Sequence, residues 1–268
     1  MFLSCCGVLG RSVVKSAAIV ACAAAGSAWS PAFAQSSDAT SRGASYSSVV
    51  QAWLAFPSVD AVEWPYAYLR ADSTRSSAQA KRADLFKELD QLTWRLEDGR
   101  HDALIRAIED WRAELSEKEL FREPGDWSPA WLMAHPQKAP PVARVAAIGA
   151  CEPPDWVEVW DASGVERAPW RGGLTLSEMS RDGGPIDLHG AEQVALVTPE
   201  GKIEHYGQAA YNYADAELSP GTQVVVALPL GGEAFPWIRD TIATVLAHAA
   251  PGDNCSEMAL AEKASIND

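Results

Sequence analysis

The stretch that ends at Arg70 contains the residue types best suited to binding a polar ligand. Trp64 and Tyr68 place aromatic rings shortly before the planar guanidinium of Arg70. A guanidinium can hold a carboxylate, a phosphate or the polar edge of a sugar through parallel hydrogen bonds. We therefore take Arg70, Trp64 and Tyr68 as ligand-binding candidates. The alternative role for Arg70, near the end of a predicted helix, is an ion pair within that helix or an interaction with its dipole.

Tryptophan offers a second route to ligand binding. The chain has 11 tryptophans, and an exposed row of indole rings could stack on the apolar faces of sugars. The alternative is that these rings fill the cores of two small domains, where aromatic side chains contribute much of the packing energy. The tryptophans near predicted loops or edges are Trp64, Trp127, Trp131, Trp156 and Trp170.

No spacing in the chain corresponds to a common catalytic or metal-binding motif. The sequence lacks a G-x-S-x-G elbow, an H-E-x-x-H pair, a P-loop and a G-x-G-x-x-G turn. Its five histidines are scattered, so we predict neither a metal site nor a cofactor. Neighbouring carboxylates such as Glu109 and Asp110 point apart on a helix, which is typical of a solvated face. We predict no catalytic residue and a protein that is not an enzyme.

The first 34 residues have the pattern of a cleaved export signal. Arg11 and Lys15 precede a short, alanine-rich apolar run, and Ala32-Phe33-Ala34 is an A-x-A cleavage signal. The run is shorter than the roughly 20 residues that a membrane-spanning helix needs. We predict a signal peptide at 1–34, a flexible leader at 35–45 and a periplasmic protein without a transmembrane segment after cleavage. Attachment of lipid at Cys22 is a minor alternative.

Charge and cysteine content fit an exported protein. Lys and Arg number 22 against 36 Asp and Glu, a net charge of −14, which argues against nucleic acids and anionic membrane surfaces as partners. Cys151 and Cys255 are the cysteines that remain after signal cleavage. In an oxidising compartment they could pair and stabilise the fold by about 4–5 kcal/mol. The alternative is a free Cys255 in a mobile tail.

The first half of the mature chain has the apolar periodicity of helices. A short helix is predicted at Tyr46–Leu54, and a second begins within Ala61–Arg70. Two longer helices each repeat apolar residues at i, i+4, i+7 and i+11, with a turn at Glu97–Arg100 between them. The repeated residues are Leu85, Leu89, Leu92 and Leu96, then Leu104, Ile108, Trp111 and Leu115. We predict a helical hairpin domain at 46–122.

The second half alternates in the manner of strands. Predicted strands at Val142–Ile148 and Trp156–Trp160 precede a short helix at Leu174–Met179 and three further strands. Two of these flank the turn Pro199-Glu200-Gly201, and Thr222–Leu228 reads as the third. This order predicts an α+β fold, with a β-grasp domain at 142–230 after the helical hairpin domain. An amphipathic C-terminal helix at 233–250 and a disordered tail at 251–268 follow.

Several of these segments together resemble the capsule biosynthesis GfcC family. They are ALVTPEGKIEHYGQAAYNY with LSPGTQVVVALPL, FPWIRDTIATVLAHAAP, and WPYAYLRADSTRSSAQAKRADLFKELDQL, covering most of Ala61 to Pro251. The resemblance implies a periplasmic accessory protein of capsule or exopolysaccharide export. It further implies two β-grasp domains, a helical insertion and a functional arginine that corresponds to Arg70. The stretch Gln35–Asp60 is too short for the leading strands of a first β-grasp domain, so we predict that this domain is missing or reduced.

The sequence therefore favours a module that binds polysaccharide or an outer-membrane polysaccharide-export protein. One alternative is an enzyme that modifies exported polysaccharide, with Arg70 in its site. Another is a structural docking module that uses the apolar face of its C-terminal helix.

Overall fold

The computed structural model describes residues 46–181, 183–188, 190–230 and 236–260. Within these ranges the chain is a mixed α+β fold of helices and two β-sheets. The predicted signal peptide and leader lie outside the described residues, as does 261–268. No helix in the described ranges is long and apolar enough to cross a membrane.

The chain begins with helix α1 (Val49–Leu54), capped by the Ser48 side chain, which accepts a hydrogen bond from the backbone of Gln51. The second helix predicted within Ala61–Arg70 is wrong. Trp64–Tyr66 is a single 3₁₀ turn, and Ala67–Arg70 is strand β1. Three consecutive residues of β1 are buried, because the strand lies inside a sheet with packed side chains on both faces.

Two long helices follow. Helix α2 spans Asp72–Gly99 and helix α3 spans Asp102–Glu117. Arg100 and His101 separate the two helices. Arg100 adopts a left-handed conformation with φ 57°, and its backbone N–H donates a hydrogen bond to the carbonyl of Glu97. The apolar residues that define the predicted spacing are buried in one cluster: Leu85, Leu89, Leu92, Leu96, Ile108, Trp111 and Leu115, with Leu104 partly buried.

The first sheet is antiparallel and has the strand order β2-β1-β3-β9. Its other strands are β2 (Arg122–Glu123), β3 (Ala147–Glu152) and β9 (Asp253–Ala259). Helix α4 (Pro129–Ala134) packs with α1 against one face.

Two sequence predictions fail in this sheet. Val142–Arg144 is a 3₁₀ turn, and the strand that follows it pairs with β1 and β9 rather than opening a β-grasp sheet. The segment 253–259, predicted as disordered tail, is a strand with mostly exposed side chains. Because its side chains are mostly exposed, the sequence of this strand has no apolar alternation that could have predicted it. Backbone hydrogen bonds, which most residue types can make, pair the strand with β3.

The second sheet has the strand order β5-β4-β8-β6-β7. Its strands are β4 (Trp156–Asp161), β5 (Gly164–Pro169), β6 (Gln193–Val197), β7 (Ile203–Gly207) and β8 (Gln223–Val226). The central pair, β4 and β8, is parallel, and the other neighbours are antiparallel. Strand β5 was not predicted, whereas the turn between β6 and β7 lies at the predicted Pro199-Glu200-Gly201.

The two faces of this sheet have different covers. Helix α5 (Leu176–Met179) contributes to the core on one face. Helix α6 (Pro236–Leu246) packs on the other face together with α2 and α3. Because the helices and the sheet share one core, the predicted border between a domain at 46–122 and a domain at 142–230 is not a boundary in the packing.

Candidate functional site

Strand β1 brings together two of the three candidate residues. Side chains alternate along a strand, so Tyr68 and Arg70 share one face of the sheet. Tyr68 is buried and meets the ring of Phe121 edge-on, with 5.1 Å between ring centroids. Trp64 instead packs against Trp53 in a different cluster, with 5.4 Å between centroids. The structure therefore separates Trp64 from the other two candidates.

Arg70 has an ion-pair partner from a distant part of the chain. Its Nη2 lies 2.7 Å from Oε1 of Glu257 on β9, and each side chain is about one-third exposed. The buried Nε of Arg70 has no hydrogen-bond partner among the described residues. The ion pair within a helix that was considered for Arg70 is wrong, because the residue lies in a strand and pairs across the sheet. A ligand would reach Arg70 through the exposed third of its side chain and not through the buried Nε.

A glycine makes the contact between these strands possible. Tyr68, Gly149 and Glu257 lie in one row across β1, β3 and β9. A Cβ atom on Gly149 would lie 2.3 Å from Cζ of Tyr68, so the tyrosine ring covers the position where a side chain would stand. Burial, followed by the negative charge of Glu257, raises the pKa of Tyr68 to about 12. Its hydroxyl is therefore protonated at neutral pH.

A cleft of about 390 Å³ opens beside Arg70, between the first half of α2 on one side and the end of α3 with the segment that follows it on the other. Four cationic side chains and two carboxylates line it, in a chain whose net charge is −14. The lining residues are Arg70, Arg75, Gln79, Arg82, Ser116, Glu117, Lys118, Glu119, Leu120 and Phe121. Such a concentration of cations in an acidic protein favours anionic ligands.

The protein already fixes two of these cations. Arg82 donates through Nη1 to the carbonyls of Leu115 and Lys118, at 3.0 and 2.9 Å, and so caps the C-terminal end of α3. The Lys118 ammonium lies 2.8 Å from Oε1 of Glu158. Arg75, on the first turns of α2, is exposed. A ligand in the cleft would therefore meet Arg70 and Arg75 directly.

Glu158 is a buried carboxylate that the sequence analysis did not single out. Lys118 and Arg167 approach its Oε1, while the indole N–H of Trp160 and the side-chain amide of Gln223 donate to its Oε2, at 3.0 and 3.2 Å. Both oxygens are thus occupied by protein donors, which identifies a structural charge rather than an acid or base for catalysis. In the sequence, Glu158 alternates with Trp156 and Trp160 along a predicted strand, and this pattern could have indicated that the glutamate lies on a buried face.

Arg122 is a second charged residue that the sequence analysis missed. It is buried, with Nε donating to the carbonyl of Ala247 at 2.9 Å and Nη1 donating to the carbonyl of Pro199. Burial lowers its pKa to about 9, against the opposing charge of Glu200. The guanidinium ties β2 to the β6–β7 turn and to the end of α6. Nothing in its local sequence distinguishes it from a surface arginine.

Cys151 and Cys255 form a disulfide between β3 and β9, across a sequence separation of 104 residues. The bond fastens the last described strand beside the strand that carries Gly149. Of the two alternatives left open by the sequence, a paired and a free Cys255, the structure has the pair.

The tryptophans near loops do not form an exposed row. Trp127 is buried, and Trp170 donates its indole N–H to the carbonyl of Leu218. Trp156 lies under the guanidinium of Arg167, at 4.4 Å from ring centroid to Cζ. The more exposed aromatic side chains include Trp94 and Tyr211, which lie on separate elements.

Within the part of the chain that the structure describes, no group of three or more histidine, cysteine or carboxylate side chains is arranged to hold a metal ion. No family model matches the sequence. No curated protein is significantly similar to it.

Proposed function

We propose that this chain is an exported binding protein that holds an anionic glycan in the cleft beside Arg70, as a non-enzymatic accessory of capsule or exopolysaccharide export. The observation that carries the proposal is the cleft itself, where Arg70, Arg75, Arg82 and Lys118 come together in an acidic protein. Acidic polysaccharides offer carboxylates at regular intervals, and a guanidinium binds a carboxylate through parallel, charge-assisted hydrogen bonds.

We further infer that the second sheet and α5 are a β-grasp domain. Two hairpins flank a short helix, and the last strand lies parallel to the first at the centre of the sheet. A right-handed crossover between the hairpins would produce this arrangement. We propose that the four-stranded sheet takes the place of the reduced first domain of the GfcC-like pattern, because it lies outside the second sheet and has its own strand order.

The disulfide supports a location outside the cytoplasm. Structural disulfides persist in the periplasm and in secreted proteins, and are rare where thiols are kept reduced. The bond between Cys151 and Cys255 agrees with the export signal inferred at 1–34, and we propose a periplasmic protein.

The alternatives receive less support from the geometry. An enzyme would need an activated nucleophile or an acid–base pair in the cleft, and the described cleft residues offer cations and two exposed carboxylates. A docking module would need an exposed apolar face on α6. Ile238, Ile242, Val245 and Leu246 are instead buried within this chain.

Calorimetric titration with an acidic oligosaccharide, such as an oligogalacturonate, tests the proposal. We expect binding that weakens as salt is added, because screening reduces the attraction between charges. Arg70→Met keeps the aliphatic stem and removes the charge. It should weaken binding by about tenfold or more, the equivalent of one lost charge-assisted hydrogen bond.

The matched control is Arg106→Met, because Arg106 is an exposed arginine of α3 that does not line the cleft. This variant should bind like the unaltered protein. A neutral glucan of the same length should not bind. The proposal is wrong if the unaltered protein does not bind the acidic oligosaccharide, or if the two arginine variants lose affinity equally.

A further inference from the structure

Glu257 occupies the part of Arg70 that a ligand carboxylate would use. Its Oε1 lies 2.7 Å from Nη2 of Arg70, which is the contact that a uronate or any other carboxylate would make with the same guanidinium. Both side chains are about one-third exposed, so solvent and dissolved ligands can reach the pair. The protein thus provides its own carboxylate at the residue on which the proposed binding depends.

The position of Glu257 is fixed by strand pairing and by a nearby disulfide. On β9, Glu257 pairs in register with Gly149 of β3, and the next residue but one toward the N-terminus is Cys255. The disulfide from Cys255 to Cys151 joins the same two strands covalently. An intramolecular group held in this way acts at an effective concentration in the millimolar range or above.

We propose that Glu257 is an internal competitor for Arg70, and that strand β9, fastened by the disulfide, sets the affinity of the cleft for anionic ligands. The inference deepens the proposed anion binding and rests on it. A ligand that binds Arg70 must displace Glu257. A ligand with a single carboxylate gains little binding free energy, because its contact with Arg70 only replaces the contact that Glu257 made. A chain that also contacts Arg75 gains the additional contact, and so binds more tightly than a single sugar acid.

Competition at one residue makes a quantitative prediction. Glu257→Gln removes the competing charge and keeps the size of the side chain. We expect it to tighten the binding of monomeric galacturonate and of oligogalacturonate by the same factor, about tenfold, because both ligands must displace the same group. In the double variant Arg70→Met/Glu257→Gln, removal of Glu257 should give no gain over Arg70→Met alone.

The charge-matched control is Glu117→Gln, which removes a carboxylate that lines the same cleft. A general reduction of negative charge would raise affinity in both glutamate variants, whereas competition raises it selectively in Glu257→Gln. If Glu257 instead holds Arg70 in its binding orientation, Glu257→Gln weakens binding. Weakened binding, or an equal gain in the two variants, would overturn the inference.

A second measurement needs no ligand and separates this inference from the proposed function. Phenylglyoxal modifies accessible guanidinium groups, and peptide mapping by mass spectrometry gives the rate at Arg70. The rate should rise severalfold in Glu257→Gln and in Cys151→Ser/Cys255→Ser, and remain unchanged in Glu117→Gln. If oligogalacturonate does not bind and Arg70 still reacts faster in the first two variants, the choice of ligand is wrong and the competition stands. Unchanged rates in these two variants refute the competition itself.

Discussion

At the scale of single residues, the fold buries opposite charges in opposite ways. Glu158 is surrounded by cations and N–H donors from the residue after α3, from its own strand and from the neighbouring strands β5 and β8. Arg122 is surrounded by backbone carbonyls of segments that are distant in sequence. In each case the partners offset part of the cost of removing a charge from water, and the contacts also fix where the partner segments lie. The two residues therefore connect elements that are distant in sequence.

We expect Glu158→Gln to lower the free energy of unfolding by about 3 kcal/mol, because Lys118 loses its buried counter-ion and an amide N–H replaces one acceptor. Glu166→Gln on the neighbouring strand β5 is the control, since Glu166 is exposed and its change should cost less than about 0.5 kcal/mol. Urea denaturation at neutral pH measures both. An equal effect of the two changes would contradict a structural role for the buried charge.

His248 links stability to pH. Its Nδ1 lies 3.0 Å from the carbonyl of Arg122, and because a carbonyl oxygen can only accept, Nδ1 carries the proton and donates the hydrogen bond. Burial lowers its pKa below the ordinary 6.5, aided by the nearby charge of Lys81. As the pH falls below 6.5, the unfolded chain binds a proton that the folded protein resists, and stability decreases.

His248→Gln should keep the N–H donor and remove the titration. We expect the decrease in unfolding free energy between neutral pH and about pH 5 to be smaller in this variant than in the unaltered protein. Chemical denaturation at a series of pH values gives the two slopes, and their difference isolates His248 from the carboxylates that titrate in both proteins. Identical slopes would show that His248 does not contribute.

At the scale of elements, the first sheet depends on close approach between three strands. The ring of Tyr68 on β1 lies across Gly149 of β3, and the backbone carbonyl of Ser256 on β9 lies 2.6 Å from the position of an added Cβ. There is room for a hydrogen atom and for nothing larger. This arrangement places Glu257 within reach of Arg70.

Gly149→Ala should therefore displace either the tyrosine ring or β9, at a cost of about 1–3 kcal/mol in unfolding free energy. Gly172→Ala is the matched control, because no heavy atom lies within 4 Å of a Cβ at that position. Hydrogen exchange should show faster exchange in 253–259 for the first variant alone. Unchanged hydrogen-exchange protection of 253–259 would mean that the close packing of Tyr68 over Gly149 does not hold this strand in place.

At the scale of the whole molecule, one hydrophobic cluster joins α2, α3 and α6 to the second sheet. Leu89 of α2, Trp160 of β4, Val225 of β8 and Ile242 of α6 are all fully buried within it. The helical and β-sheet parts therefore cannot lose their contacts independently without exposing this shared core.

We expect the described chain to unfold in a single cooperative transition despite its two sheets. Differential scanning calorimetry should give a calorimetric enthalpy equal to the van 't Hoff enthalpy. Two resolved transitions would instead support separate domains at 46–122 and 142–230. Leu89→Ala, which creates a cavity on the helical side, should lower the single melting temperature without splitting the peak.

The sequence by itself determined the features that depend on neighbours along the chain. The spacing of Leu85, Leu89, Leu92 and Leu96 marked the buried face of α2, and Pro199-Glu200-Gly201 marked the turn between β6 and β7, because helical periodicity and turn chemistry are local. The same local signals identified Arg70 and Tyr68 as residues of interest, without showing what they contact.

Only the tertiary structure decided that Ala67–Arg70 is a strand, that β3 belongs to the first sheet and that Asp253–Ala259 is its edge. These strands are joined by backbone hydrogen bonds between segments about 80 or more residues apart, and by one disulfide across 104 residues. Every residue except proline can make the backbone bonds, so the side-chain sequence of β9 does not reveal its partner. The pairing of Arg70 with Glu257 follows from that register, and it could be seen only once the strands lay side by side.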